Sequence, residues 1–163
     1  MRALAFAALA ALTLLAGCAA PKFIEYNGPE VTRIEVFKSS RTMILWHDDE
    51  VLESYEIELG FAPEGQKTQE GDGRTPEGEF FIDRRNPNSE FYLSLGIDYP
   101  QAPHIEAATE AGVDPGGDIF IHGTPREFRR TDDWTAGCIA VTNREMRQIY
   151  AMVRDGTPIT IHP

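Results

Sequence analysis

The sequence predicts a mainly β domain, a sandwich or a barrel, with one or two short helices. Two features predict it. Short alternating or apolar runs are separated by turn residues throughout the chain. Only one segment carries both a helix cap and a sustained helical stripe. No internal repeat interrupts this pattern, and no second long apolar span follows the N-terminus.

The elements follow in order. Arg33-Ile34-Glu35-Val36 alternates as a half-buried strand does, and Met43-Ile44-Leu45-Trp46 reads as a short buried run. The polar His47-Asp48-Asp49-Glu50 between flanking strand segments predicts a hairpin turn. Tyr55 to Leu59 alternates again. Glu79 to Ile82 and Phe91 to Leu95 are further strands. Ile105 to Ala111 reads as a short helix stopped by Gly112. Asp118 to His122 and Cys138 to Val141 read as buried strands. Thr142-x-x-Glu145 fits a capping box, which satisfies free amides of a first helical turn. Met146, Ile149, Tyr150 and Val153 then recur at the spacing of a core-facing stripe, with Gly156 as the stop. Pro158 to Ile161 closes the chain as a strand.

The N-terminus reads as an export leader. Arg2 supplies a positive start, and Ala3 to Leu15 form an uncharged apolar stretch too short to span a bilayer comfortably. Leu15-Ala16-Gly17-Cys18 resembles the lipobox of bacterial lipoproteins. That resemblance implies residues 1–17 as signal peptide, lipidation at Cys18, and a membrane anchor made of several acyl chains. Ala19 then implies the periplasmic side of the outer membrane. The alternative is an ordinary secretory leader cut near Ala20. Residues 18–30 are punctuated by Pro and Gly and read as a lipidated N-terminus and tether. Residues 31–163 read as one domain, long enough for a core of its own.

A formal net charge of −11 argues against nucleic acid as a partner, because phosphate binding needs a basic surface. His47, His104 and His162 share no ligand spacing, so no metal is expected. Glu70 to Gly78 is glycine-rich but lacks the Gly-Lys-Ser/Thr ending of a phosphate loop. A turn over a groove is the expected role.

With Cys18 lipidated, Cys138 has no disulfide partner, and an unpaired thiol in an exported protein needs an explanation. His122 ends the apolar run Ile119-Phe120-Ile121, which can aim its ring. Gly123 beside it allows close backbone approach. Fifteen residues, Gly123 to Gly137, separate it from Cys138. A cysteine nucleophile needs such a base, and Gly137 frees the local backbone to present amides to an oxyanion. Each residue alone has a plainer reading, as a small buried hydrophobe or a hydrogen-bonded core histidine. The pair, the glycines and the export leader together bring catalysis level with those plainer readings.

His122-Gly123, the spacer and Thr135-Ala136-Gly137-Cys138-Ile139 resemble the active-site signature of the L,D-transpeptidase catalytic domain, the YkuD-like family. Glu70 to Gly78 and Pro115 to Gly123 fit two further motifs of that family, and the likeness runs from about Thr32 to His162. It implies a β-sandwich-like catalytic domain with a short helix beside the site, acting on peptidoglycan stem peptides without metal or organic cofactor. Cys138 would attack the meso-diaminopimelate carbonyl of a tetrapeptide stem, releasing D-alanine and forming a thioester. An amine on a second stem or on an envelope lipoprotein would resolve it. His122 would be general base and then acid, oriented by the Gly123 carbonyl, with the amides of Gly137 and Cys138 as oxyanion donors.

Two positions depart from the commoner pattern. Ala136 and Ala140 stand where many members carry His and Arg. Arg74, Arg126, Arg129 and Arg130 are candidate replacements as carboxylate binders, with a solvated face favoured for Arg129 and Arg130. Thr135 either bonds near the thiolate or shapes the turn. Trp134 either lines the groove or anchors the core. The alternatives to a transpeptidase are an L,D-carboxypeptidase or amidase using the same site, and a noncatalytic lipoprotein that tethers peptidoglycan.

Overall fold

The structure, a computed structural model, describes residues 21–163. Cys18 and the leader lie outside the described residues.

The chain is mainly β. Its strands are β1 (Arg33–Phe37), β2 (Thr42–His47), β3 (Glu50–Glu56), β4 (Gly78–Asn86), β5 (Ser94–Ile97), β6 (Phe120–Gly123), β7 (Ile139–Val141) and β8 (Pro158–His162). Two helices accompany them, α1 (Ala102–Ala111) and α2 (Asn143–Met152). The strands form one sheet in the order β3-β2-β1-β8-β4-β5-β6-β7.

β4 gives this sheet its sandwich-like form. Gly78 to Phe81 pair with β8, and Ile82 to Asn86 pair with β5, with a register shift between Ile82 and Arg84. A bulge of this kind bends a strand and lets it pass from one layer to the next. The far ends then meet. Residues 57–61 continue past β3 and reach β7 at the opposite end. Glu58 and Ala140 exchange backbone bonds at 2.8 Å each way, and Thr135 N–H donates to Leu59 O at 3.0 Å. This connection covers the exposed edge of β7, which would otherwise present unpaired amides.

Strand patterning follows from which face is covered. Ile34, Val36, Met43, Leu45, Phe80, Ile82, Leu95, Ile97, Ile159 and Ile161 alternate into one core. Met43-Ile44-Leu45-Trp46 is therefore half-buried, with Ile44 and Trp46 partly open, where a fully buried run was expected. The Tyr55 to Leu59 strand is cut at Glu56, because the next residues leave β2 to make the closing connection. The Phe91 to Leu95 strand starts only at Ser94. Tyr92 takes a left-handed φ of 76°, and Leu93 N–H turns back to Phe91 O.

α1 begins three residues ahead of the expected Ile105, with proline in its first turn, and Gly112 ends it at φ 70°. α2 has the expected capping box. Thr142 Oγ1 accepts from Glu145 N–H, and the Glu145 carboxylate accepts from Thr142 N–H. Met146, Ile149 and Val153 are fully buried, and Tyr150 packs at the margin. The helix stops at Met152, before the expected Gly156. Val153 leaves in an extended conformation to stay in the core, and Gly156 instead turns the chain toward β8 at φ 88°.

Residues 21–26 lie against the domain. Lys22 Nζ donates to Pro87 O, Arg147 donates to Pro21 O, and Phe23 meets Tyr150.

Candidate active site

β6 and β7 run parallel and place the two candidate reactive side chains. Ile121 pairs with Ile139 and His122 with Ala140. One step back along this register, Cys138 falls level with Phe120. Side chains two positions apart on a strand share a face, so the His122 ring and the Cys138 thiol emerge on one face of adjacent strands. Ser94 of β5 flanks His122 on its other side.

His122 is buried and held on several sides. Its Nδ1 lies 2.9 Å from Gly123 O. A carbonyl can only accept, so Nδ1 carries the proton and Nε2 is left as the basic nitrogen. The ring stacks on Phe91 at 4.5 Å and meets Trp134 edge-on at 5.6 Å. Phe128 in turn stacks on Trp134 at 4.3 Å. Burial lowers the His122 pKa below its ordinary value, offset only in part by the Gly123 bond. The imidazole is neutral at neutral pH and able to take a proton.

Cys138 is half-buried, and its Sγ lies 3.5 Å from Asp118 O. Burial pushes the thiol pKa up. The Phe120 amide pulls it back, Asp118 adds to the rise, and Lys67 and Arg84 oppose it. The net direction is up, so the pair rests as thiol and imidazole.

The turn before Cys138 is built around one hydroxyl. Thr135 Oγ1 accepts from Gly137 N–H at 3.1 Å and donates to Cys138 O at 2.7 Å. Thr135 thus shapes the turn, and the Gly137 amide is already engaged. Gly137 has φ 131°, and a Cβ there would stand 2.6 Å from Arg74 O. Trp134 is both a wall for His122 and half-buried.

The Glu70 to Gly78 segment abuts this turn through its backbone. Gly60, between them, has no room for a Cβ because Gly73 O already fills that space. Asp72 organises the loop by accepting from Lys67 Nζ at 2.9 Å and from the amides of Thr68, Gln69 and Arg74. Burial alone would raise the Asp72 pKa, but the Lys67 ammonium and these amides outweigh it and hold it low. Arg74 contributes its backbone to the site, while its guanidinium donates to Gln66 O at 3.3 Å. Arg126 sits exposed on a single 3-10 turn, Arg126–Phe128. Ala140 is buried and borders a groove of about 820 Å³ shared with Glu58, Thr124 and Arg129.

Phe91, Ser94, Lys67 and Arg84 were not among the residues expected at the site. Phe91 and Ser94 lay in a segment singled out in the sequence, and there as strand residues. All four reach the site through turns or pairings between distant segments.

Residues 31–161 match the YkuD family, described as the L,D-transpeptidase catalytic domain. The chain belongs to that family. YafK of Escherichia coli K12, named as an L,D-transpeptidase, is 29% identical over 126 residues, covering 74% of this chain and 46% of the relative. YkuD of Bacillus licheniformis is 28% identical over 136 residues, covering 80% and 66%. Among solved structures, the helical cell shape determining protein Pgp2 of Campylobacter jejuni superposes with a TM-score of 0.63 at 23% identity, over 85% of this chain and 50% of that one. An L,D-transpeptidase from Mycobacterium smegmatis gives 0.55 at 16% identity, over 82% and 59%. These structural likenesses show a shared fold. The chain spans about half to two thirds of each relative's length.

Proposed function

We propose that the chain is a peptidoglycan L,D-transpeptidase that works through a Cys138 thioester. The observation that carries this reading is the pairing of β6 with β7. It sets a half-buried thiol on the same face as a buried neutral histidine whose Nδ1 is tied to Gly123 O. Family membership supplies the substrate class, the stem peptides of peptidoglycan.

The chemistry runs from a neutral pair. His122 Nε2 takes the thiol proton as Sγ attacks the meso-diaminopimelate carbonyl. The carbon–nitrogen bond to D-alanine then breaks, and the same proton passes to the leaving amine. A thioester remains on Cys138. An amine acceptor attacks it, gives up its proton to His122 and forms the new amide, and the thiol is reprotonated. The developing oxyanion needs amide donors. The Cys138 amide is one, and the Gly137 amide serves only once it has left Thr135 Oγ1. The aromatic rings of Phe91 and Trp134 exclude water from one side of the imidazole.

Purified protein incubated with tetrapeptide muropeptides should yield dimers joined between two diaminopimelates, resolved by mass. Tripeptides alone would make it an L,D-carboxypeptidase. Release of peptide from a lipoprotein–peptidoglycan conjugate, with neither product, would make it an amidase. No turnover and no acyl-enzyme would leave a tethering lipoprotein. The lipobox-like Leu15-Ala16-Gly17-Cys18 supports lipidation at Cys18 and a place on the periplasmic side of the outer membrane. Palmitate labelling that persists in Cys18→Ala would overturn that part.

A further inference from the structure

Arg84 lies at the mouth of the candidate site. Its stem crosses Gly96 of the neighbouring strand, where a Cβ would collide with Arg84 Cγ. Its guanidinium rests 4.5 Å above the Phe120 ring, and Phe120 stands opposite Cys138. Nη2 donates to Asp118 Oδ1 at 3.2 Å, while the backbone oxygen of the same Asp118 lies 3.5 Å from Sγ. Nη1 bonds Asp83 at 2.8 Å and approaches Ile97 O. The guanidinium is thus fixed by stacking and stem packing beside the nucleophile.

We propose that Arg84 recognises a carboxylate of the donor stem peptide through Nη2, where the substrate displaces Asp118, the longer and more open of its two carboxylate partners, while Asp83 keeps Nη1. This rests on the transpeptidase reading. Three observations favour Arg84 over the other cations. Its side chain is 38% exposed, whereas Lys67 is only 3% exposed and committed to Asp72 and Gln69 O. The Arg74 guanidinium is directed to Gln66, and Arg126 makes no contact that would fix it among the described residues. Asp118 is 90% exposed, and so open an ion pair contributes little and yields readily to a better-placed carboxylate. A planar guanidinium suits such an anion because it can donate two parallel hydrogen bonds. Ala140 adds no competing charge at the neighbouring position. The two residues joined by the scissile bond carry two carboxylates, that of the terminal D-alanine and that at the far end of diaminopimelate, and the assignment is to one of these.

Acylation of Cys138 followed by intact mass, using three synthetic donors, tests the assignment. One is the free tetrapeptide, one is amidated at the terminal D-alanine, and one is amidated at the far diaminopimelate carboxylate. Arg84→Gln should lower kcat/KM on the free donor by about 10- to 100-fold, the range for a hydrogen-bonded charge pair. The penalty should vanish on the one donor whose amidated group is the partner of Arg84, which identifies the carboxylate. Asp118→Asn, suited to the left-handed φ of 54° at that position, should lower KM for the free donor. Circular dichroism establishes that each variant is folded. An equal penalty on all three donors, no penalty on any, or a raised KM in Asp118→Asn overturns the assignment while the transpeptidase reading stands. Failure of every donor to acylate the native protein removes both.

Discussion

His122 has its chemistry set by its surroundings. Phe91 and Trp134 bury the ring and Gly123 O fixes its tautomer, so it stays neutral at pH values where a free histidine begins to charge. His122→Ala should slow acylation of Cys138 by about 10²–10⁴, the usual worth of a positioned proton acceptor. Single-turnover mass spectrometry measures this, and a native rate in the variant would assign the base elsewhere. The same burial makes stability depend on pH. The folded-state pKa of His122 lies below its value in the unfolded chain, about 6.5. On acidification the unfolded chain therefore binds the proton first. The stabilisation is complete above about pH 6.5 and is lost as pH falls toward the lower folded value. Melting temperature against pH should fall less steeply in His122→Gln than in the native protein over that interval.

At the scale of elements, the turn Thr135 to Cys138 is the part least tolerant of change. It is fixed by the Thr135 hydroxyl on one side and by the backbone of the Glu70 to Gly78 segment on the other. Gly137→Ala meets two obstacles, a φ of 131° that side chains avoid and Arg74 O at 2.6 Å from the new Cβ. The strain is worth about 1–3 kcal/mol, and its relief would move Cys138. A lowered urea midpoint together with loss of acylation is the expected result. Native acylation would show that the nucleophile does not depend on this backbone shape. α2, by contrast, needs little from its neighbours to begin, because both bonds of its capping box lie within Thr142 to Glu145.

Over the whole molecule, a buried ammonium joins the end of β1 to the loop that abuts the site. Lys38 follows β1 and is almost fully enclosed. It donates to Gly65 O, Thr75 O and Glu77 Oε1, at 2.7, 3.2 and 2.7 Å. All three of its protons are used, so the loop from Gly65 to Glu77 is pinned at both ends. Glu77→Ala leaves the ammonium buried without its counter-charge. The cost should be about 3 kcal/mol, at the lower end of the range for a broken buried pair because Glu77 is partly open. Pairing it with Lys38→Met should restore part of that loss. Urea unfolding of the single and double variants distinguishes this from independent effects, which would simply add.

Much of this organisation was legible in the sequence, and the reason is locality. A capping box spans four residues, an alternating strand needs five, and His122-Gly123 and Thr135 to Cys138 are contiguous motifs. Such patterns are physical statements about neighbours along the chain. They located β1, β2, β8, α2 and the family's signature residues. They erred where a distant segment overrode local preference. The strand from Tyr55 ended early to close the sheet, Tyr92 broke the next one to bring Phe91 onto His122, and α2 ended before Gly156 so that Val153 could stay in the core. The bend in β4 and the parallel pairing of β6 with β7 were beyond local reading, because register between remote strands is set by the packing of the whole sheet. That pairing brings Cys138 alongside His122, and the fold around it sets Arg84 above Phe120. Which groups can do chemistry follows from residue type and near neighbours, and is readable along the chain. Their burial, protonation and company depend on what the rest of the fold places around them.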